Sequence, residues 1–246
     1  MLSPLQKART AWSLLNPRSL RVRFSVCPLC GPSLLVKLAD DAISVRCVRC
    51  RASAIHLSIF QVLQRLYPDL SRLAVYEMSS RGPLFRYLQA RAGQFTCSEF
   101  FDDVVPGAYR GEIQCQDVQA LTYCDASFDL CTSTEVFEHV PDDRRGFREI
   151  RRVLRPGGRF VFTVPLTEAL ATVERAVLTD GTIRHLLEPE FHGDAIRGQG
   201  KVLCFRNYGL DIVDRLRASG FRDARLVPAD CTGWWGFGTN VVVAEV

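Results

Sequence analysis

Four short apolar runs between residues 71 and 134 constrain this chain most, because three of them stop on a carboxylate. "SRLAVYEMSS" reaches Glu77, "QFTCSEFF" reaches Glu99, "GEIQCQD" reaches Asp117, and "FDLCTS" follows as a fourth. Their β-branched and aromatic content reads as strand. "RGPLFRYLQARAG" reads as a helix, with Pro83 near its start and Gly93 after its end. "RRGFREIRRVLRPGG" is an amphipathic helix closed by Pro156-Gly157-Gly158, and "RFVFTVPL" is a fifth, buried strand. "YGLDIVDRLRASG" is a further helix, and "FRDARLVPA" and "GTNVVVAEV" are two final strands. Such alternation predicts an α/β fold: a mostly parallel sheet with helices on both faces. Ligands of such sheets bind beyond the carboxyl ends of the strands, where the strand order reverses. A series of acidic strand ends there suits a ligand rich in hydroxyl and amino donors.

The chain has 246 residues, room for one large α/β domain and a small accessory piece. A hydrophobic share of 47%, a charged share of 24% and a mean hydropathy of +0.02 are those of a soluble globular protein. No apolar run approaches the roughly 18 residues of a membrane span, and "MLSPLQKARTAWSLL" lacks the apolar core of a secretory signal. The net charge of +4 is Arg-rich and uneven. Lys7, Arg9, Arg18, Arg21, Arg23 and Lys37 all precede the first acidic residue, Asp40. Residues 1–24 are therefore read as a basic leader, a solvated arm in preference to a nucleic-acid, membrane or transit segment.

Four of the ten cysteines form two matched pairs, Cys27-x2-Cys30 and Cys47-x2-Cys50, with sixteen residues between the pairs. A C-x2-C turn supplies two thiolates from one tight loop, and four thiolates satisfy tetrahedral zinc with no position left open. Residues 25–53 are thus read as a structural zinc ribbon in which "SLLVKL" and "AISVRC" form a short hairpin and Gly31 eases the turn. Two disulfides are the alternative, and they need an oxidising compartment for which there is no signal. The other six cysteines (Cys97, Cys115, Cys124, Cys131, Cys204, Cys231) show no pairing pattern. Several lie in apolar runs, where a free cysteine behaves as a small hydrophobe. A reducing, cytoplasmic setting fits best. Residues 54–69 repeat apolar positions at helical intervals up to Pro68 and are read as a linking helix, with His56 packing in it and not binding metal.

At this point the chain resembles the class I S-adenosylmethionine (SAM)-dependent methyltransferases, in their EHV-motif, methyltransferase-11-like subgroup. The resemblance covers about residues 70–246 and is sharpest over "DASFDLCTSTEVFEHVPDDRRGFREIRRVLRPGGRFVFTVPL". It implies a Rossmann-like domain with a seven-stranded, mostly parallel sheet behind the small ribbon, and SAM as methyl donor. Carried over by position, Glu77 lies by the methionine and ribose end of SAM. Ser79 and Gly82 fall in the turn beneath it. Glu99 accepts from the ribose hydroxyls, Asp117 and Val118 hold the adenine, and Ser133 and Thr134 border the methionine moiety. The chain departs from the acidic-x-Gly-x-Gly pattern at Ser79, which stands where the first glycine is usual.

In "CTSTEVFEHVPDD", Glu135, Glu138 and His139 stand at i, i+3 and i+4, and a helix starting there would put them on one face. Three uses stay open. The first is a divalent-cation site such as Mg2+, which the resemblance implies from relatives with E-x-x-E-H, with His192 of "EPEFHGD" as a further ligand. The second is general-base catalysis by His139 or His192. The third is a structural role at a helix start, preferred for Glu138 and Val140. Residues 166–206 are long for a connection and read as an acceptor-side lid, with His192 and Asp194 among glycines. Trp234 and Trp235 line an acceptor pocket or belong to a core.

The expected function is SAM-dependent methyl transfer to a small-molecule acceptor, on oxygen ahead of nitrogen. An RNA methyltransferase that docks RNA on the ribbon is the alternative, and a non-catalytic SAM-fold binding module is a second one. The acceptor and the oligomeric state are not encoded in any motif of the chain.

Overall fold

The computed structural model describes residues 20–39, 41, 44–194, 200–230 and 232–246. Most of the basic leader, including Lys7, Arg9 and Arg18, and also Cys231, lie outside the described residues. No helix among them is long and apolar enough to cross a membrane. The chain divides into two compact units.

The first unit comprises residues 1–68, 81–87 and 228–239. Strands β1 (Arg21–Cys27), β2 (Gly31–Lys37) and β3 (Val45–Cys47) form one antiparallel sheet in the order β1-β2-β3. The predicted β2–β3 hairpin is present, pairing Leu35 with Cys47. β1 is an added strand that begins at Arg21, so the end of the basic leader is part of this sheet. Gly31 turns the chain from β1 into β2 at a φ of 83°, a left-handed conformation that glycine adopts without strain. Helix α1 (Ala54–Leu66) follows. Ser53 caps it, with Oγ 2.7 Å from Nδ1 of His56, so this imidazole is a capping partner. Burial first, then Arg46 and Arg86, pushes its pKa down to about 4, so it stays neutral. Cys27, Leu35, Val45, Cys47, Leu57 and Trp234 share the core of this unit, with Trp235 and Phe237 packed against it. Of the two readings of the tryptophan pair, the core one describes Trp234.

The second unit comprises residues 69–80, 88–227 and 240–246. Its chain order begins with β4 (Ala74–Glu77), α2 (Pro83–Gln89, which straddles the two units), β5 (Gln94–Glu99), β6 (Tyr109–Arg110) and β7 (Ile113–Cys115). It continues through β8 (Phe128–Thr134), a 3-10 turn (Phe137–His139), α3 (Asp143–Val153) and β9 (Leu154–Thr163). Three hairpin-like pairs come next: β10 (Val173–Glu174) with β15 (Arg206–Asn207), β11 (Ala176–Thr179) with β12 (Thr182–His185), and β13 (Phe191–Asp194) with β14 (Gly200–Leu203). Helix α4 (Ile212–Ala218), β16 (Asp223–Val227) and β17 (Val241–Glu245) complete it.

The central sheet runs β16-β17-β9-β8-β4-β5-β7-β6. The pairings from β9 through β7 are parallel, while β17 is antiparallel to both its neighbours. The expected seven strands are all present, and the sheet has eight because the two-residue β6 adds an antiparallel edge to β7. Chain order reverses between β4 and β8, which fixes where a ligand crevice belongs. Tyr76, Phe137, Phe147, Phe160 and Phe162 fill the core beneath it.

Two local expectations change. Pro156-Gly157-Gly158 does not close α3, which ends at Val153, because Leu154 is already extended and pairs with Phe128. The triplet lies inside β9, at the register shift between Phe128 and Leu130, and Gly157 takes a φ of 78° there. The helix expected to open at the E-x-x-E-H stretch is only the 3-10 turn Phe137–His139, and α3 starts at Asp143.

Candidate active site

The residues predicted for the crevice stand at the strand ends. Glu77 closes β4, Glu99 closes β5, Asp117 follows β7 by two residues, and Ser133 and Thr134 close β8. Glu77 is 2% exposed and accepts a hydrogen bond from Thr132 Oγ1 on the neighbouring strand. Burial raises its pKa to about 8 against that hydrogen bond, with Glu99 adding to the rise, so it carries a proton at neutral pH. Ser133 Oγ and Thr134 Oγ1 are buried and have no hydrogen-bond partner. Buried hydroxyls without partners are rare in native proteins and mark a place where a polar ligand group is expected.

Glu99 and Asp117 are engaged by their own turns. Glu99 Oε1 accepts from the Ser80 backbone N–H at 2.7 Å, from Ser80 Oγ at 2.8 Å and from Ser79 Oγ at 3.5 Å. The serine at the usual glycine position thus joins a turn that wraps this carboxylate. Asp117 Oδ1 accepts from the Gln119 backbone N–H at 2.8 Å, an Asx turn that orients the carboxylate. Val118, half-buried, packs against the sheet core. Gly82, with a φ of 104°, clusters with the first unit, so it is the one predicted cofactor residue outside the second.

Beyond β8 the structure gathers Glu138, His139 and His192, whose donor atoms all lie within 4.8 Å of one another. Glu135 is not part of this set. It precedes the 3-10 turn at a φ of 53°, so the i, i+3, i+4 face of an α-helix never forms. Burial first, and Glu138 second, raises the Glu135 pKa to about 8. His192, 53 positions along the chain from His139 and carried by β13, takes its place. The two imidazole rings meet edge to face with centroids 4.9 Å apart.

The proton arrangement within this set is defined by its partners. His139 Nδ1 lies 2.8 Å from the Leu203 carbonyl oxygen, so it donates, and the other nitrogen of the neutral ring is left as an acceptor. That nitrogen, Nε2, is 3.5 Å from Glu138 Oε1. Glu138 is 1% exposed and neither of its oxygens has a hydrogen-bond partner. His192 Nδ1 reaches the same Oε1 at 3.6 Å. A buried carboxylate facing an imidazole lone pair calls for a positive charge between them, a proton or a metal ion. The His192 pKa is raised, chiefly by Glu138, with burial opposing and Glu190 assisting.

The turn that carries Glu138 and His139 is held from below by residues that no motif had singled out. Arg206, 2% exposed, donates to the carbonyls of Phe137, Val140 and Pro141 at 3.0, 2.5 and 2.6 Å. Asp143 accepts from Tyr208 at 2.9 Å and from Arg215 at 2.8 Å, and Glu174 binds both arginines. These partners are 32 to 72 positions apart, so no local pattern reveals them.

In the first unit, the Cys27 and Cys50 sulfurs are 3.7 Å apart and those of Cys30 and Cys47 are 3.5 Å apart. All four cysteines are free thiols. A tetrahedral zinc with Zn–S bonds of about 2.3 Å sets its sulfurs about 3.8 Å apart, so the spacing fits that ion.

The family model described as a methyltransferase domain matches residues 79–162, from the Ser79 turn through β9. Over those residues the chain is similar to methyltransferase domains. Over 50 residues, 20% of this chain and 21% of the relative, the chain is 40% identical to the ubiquinone biosynthesis O-methyltransferase of Coxiella burnetii. Over 80 residues, 32% of this chain and 29% of the relative, it is 36% identical to the sarcosine/dimethylglycine N-methyltransferase of Halorhodospira halochloris. The matches therefore span less than a third of the length of these relatives. Among solved structures, the fold is similar to a SAM-dependent methyltransferase from Mesorhizobium loti, at 16% identity and a TM-score of 0.48, covering 77% of this chain and 98% of that one.

Proposed function

We propose that this chain is a SAM-dependent methyltransferase of a small-molecule acceptor, and that the methylated atom is oxygen. The observation that carries the reading is the set of acidic side chains and orphaned hydroxyls at the ends of neighbouring parallel strands, Glu77, Glu99, Asp117, Ser133 and Thr134, around the point of strand-order reversal. Bound SAM would supply an electrophilic sulfonium methyl group. Glu99 and Asp117 would bind hydroxyl and amino groups of the donor, and Ser133 and Thr134 would find partners on its methionine end.

Methyl transfer forms one bond to the acceptor atom and breaks the methyl–sulfur bond, so the protein's part is alignment and proton removal. An oxygen acceptor is a poor nucleophile until its proton leaves. His139 Nε2 would serve as the base, since the Leu203 carbonyl holds its other nitrogen protonated. The same Glu138–His139–His192 set would hold a divalent cation such as Mg2+ in place of the proton, with two imidazoles and a carboxylate as ligands. Such an ion would bind and acidify an acceptor hydroxyl. The relatives that act on oxygen and on nitrogen bracket the choice, and this base-and-acid arrangement favours oxygen.

The ribbon cysteines Cys27, Cys30, Cys47 and Cys50 are read as a structural zinc site, supported by their sulfur spacing. Titration calorimetry with SAM and S-adenosylhomocysteine tests the first claim. No binding of either at about millimolar concentration, where an affinity near –4 kcal/mol would register, would sink it. Release of S-adenosylhomocysteine with phenolic but not amine small molecules supports oxygen; the opposite preference refutes it.

A further inference from the structure

The hairpin that delivers His192 carries two more metal-binding groups on the same side. Cys204 donates its backbone N–H to the Glu190 carbonyl at 2.8 Å, continuing the β13–β14 ladder that pairs Phe191 with Leu203 and His192 with Val202. Side chains alternate along a strand, and directly paired residues share a face, so Glu190, His192 and Cys204 project from one side of the hairpin base. Their carboxylate, imidazole and thiol donor atoms all lie within 4.8 Å of one another.

We propose that Glu190, His192 and Cys204 form a second cation site, for a thiophilic divalent ion such as zinc or cadmium, separate from the four-cysteine ribbon. Sulfur, imidazole and carboxylate donors together select such ions over magnesium. Binding transfers the Cys204 thiol proton to solvent, and the resulting thiolate with the Glu190 carboxylate balances the ion's two positive charges. Arg175 holds Glu190 by Oε2 at 3.3 Å, which leaves Oε1 turned to His192 Nε2 at 3.3 Å. Water fills the fourth position.

The two ring nitrogens of His192 face different carboxylates: Nε2 faces Glu190 and Nδ1 faces Glu138 at 3.6 Å. A neutral imidazole has one lone pair. An ion bound at Nε2 therefore fixes the proton on Nδ1, where it donates to Glu138. His192 then cannot serve Glu138 and His139 as a ligand or proton acceptor. The thiophilic site is in this way antagonistic to the chemistry of the neighbouring set. The antagonism rests on the function proposed above, whereas the site itself does not.

Cadmium titration of the zinc-loaded full chain tests the site by its cadmium–thiolate charge-transfer absorbance and by the metal bound per chain. Wild-type protein should take up one ion more than Cys204→Ser, with affinity in Glu190→Gln reduced by about tenfold or more. Glu190 is only half-buried, so that variant decides the matter if Cys204→Ser does not fold. Equal uptake and equal absorbance in wild type and both variants would overturn the site. These readouts do not depend on methyl transfer, so they stand even if that activity is absent. If methyl transfer is present, zinc should inhibit wild type and spare Cys204→Ser; equal inhibition would overturn the antagonism.

Discussion

Arg206 Nη1 lies 2.5 Å from the carbonyl oxygen of Val140, tying β15 to the turn that carries Glu138 and His139. The same guanidinium binds the Phe137 and Pro141 carbonyls and, through Nε, Glu174 at 3.0 Å. A buried cation so fully paired is expensive to unpair. Arg206→Ala should lower stability by about 3–5 kcal/mol, because three carbonyls lose their donor and Glu174 loses one of its two arginines. Chemical denaturation checks this. Arg206→Lys should recover only part of the loss, because an ammonium has no planar fork.

Glu99 presents a carboxylate to the Ser79–Ser80 turn and, in the proposed function, to the donor's ribose. Glu99→Gln should weaken SAM binding by roughly 10- to 100-fold, the equivalent of one or two charge-assisted hydrogen bonds. Calorimetry gives the answer directly. An unchanged affinity would mean that Glu99 serves the turn alone.

Glu77 gives a pH dependence of definite sign. Its pKa rises on folding from the ordinary 4.5 to about 8, so within that window the folded chain holds a proton that the unfolded chain has lost. The associated stability is complete below the lower value and is lost as pH rises through the upper one. Asp143, whose pKa is lowered from 3.8, acts in a more acidic range. Glu135, also raised to about 8, acts in the same direction, so the melting temperature should fall between about pH 5 and pH 8, and Glu77→Gln should make that slope shallower without removing it.

His139→Asn should reduce methyl transfer to an oxygen acceptor by about 10²–10⁴-fold, the usual worth of a general base or of a metal ligand's place in the reaction. SAM affinity should be unchanged, which separates this residue from the strand-end set. Initial rates at saturating SAM, with calorimetry alongside, distinguish the two.

Cys47→Ser should abolish zinc in the first unit and expose its core. Trp234, 4% exposed and packed in the same cluster as Cys27 and Cys47, then reports the change as a red-shifted fluorescence. Metal analysis of the wild-type chain that finds no zinc would refute the ribbon assignment.

Some of these features were legible in the sequence because they are local. The alternation of apolar runs and helical periods specified the parallel sheet, since burial on both faces requires continuous apolar strands. Glu77, Glu99 and Asp117 could be placed because an acidic residue after an apolar run marks a strand end whatever its neighbours are. The gathering of Cys27, Cys30, Cys47 and Cys50 was legible because two C-x2-C turns each bring a pair of thiols together. Local pattern misled at two places. Pro156-Gly157-Gly158 reads as a helix stop, but pairing of Leu154 with Phe128 had already drawn the chain into β9. E-x-x-E-H reads as one face of a helix, but the turn is 3-10 and Glu135 stands outside it.

What the sequence alone determined is the fold and the acidic residues at its strand ends, which follow from short-range periodicity. Only the tertiary structure decided the Glu138–His139–His192 set. It replaced Glu135 by His192, set the His139 tautomer with the Leu203 carbonyl, and put Arg206 beneath the Val140 carbonyl. Each of these is a contact between residues more than 50 positions apart. Hydrogen bonds and buried ion pairs of that kind depend on how residues 166–206 pack onto the turn after β8, and no spacing along the chain encodes it.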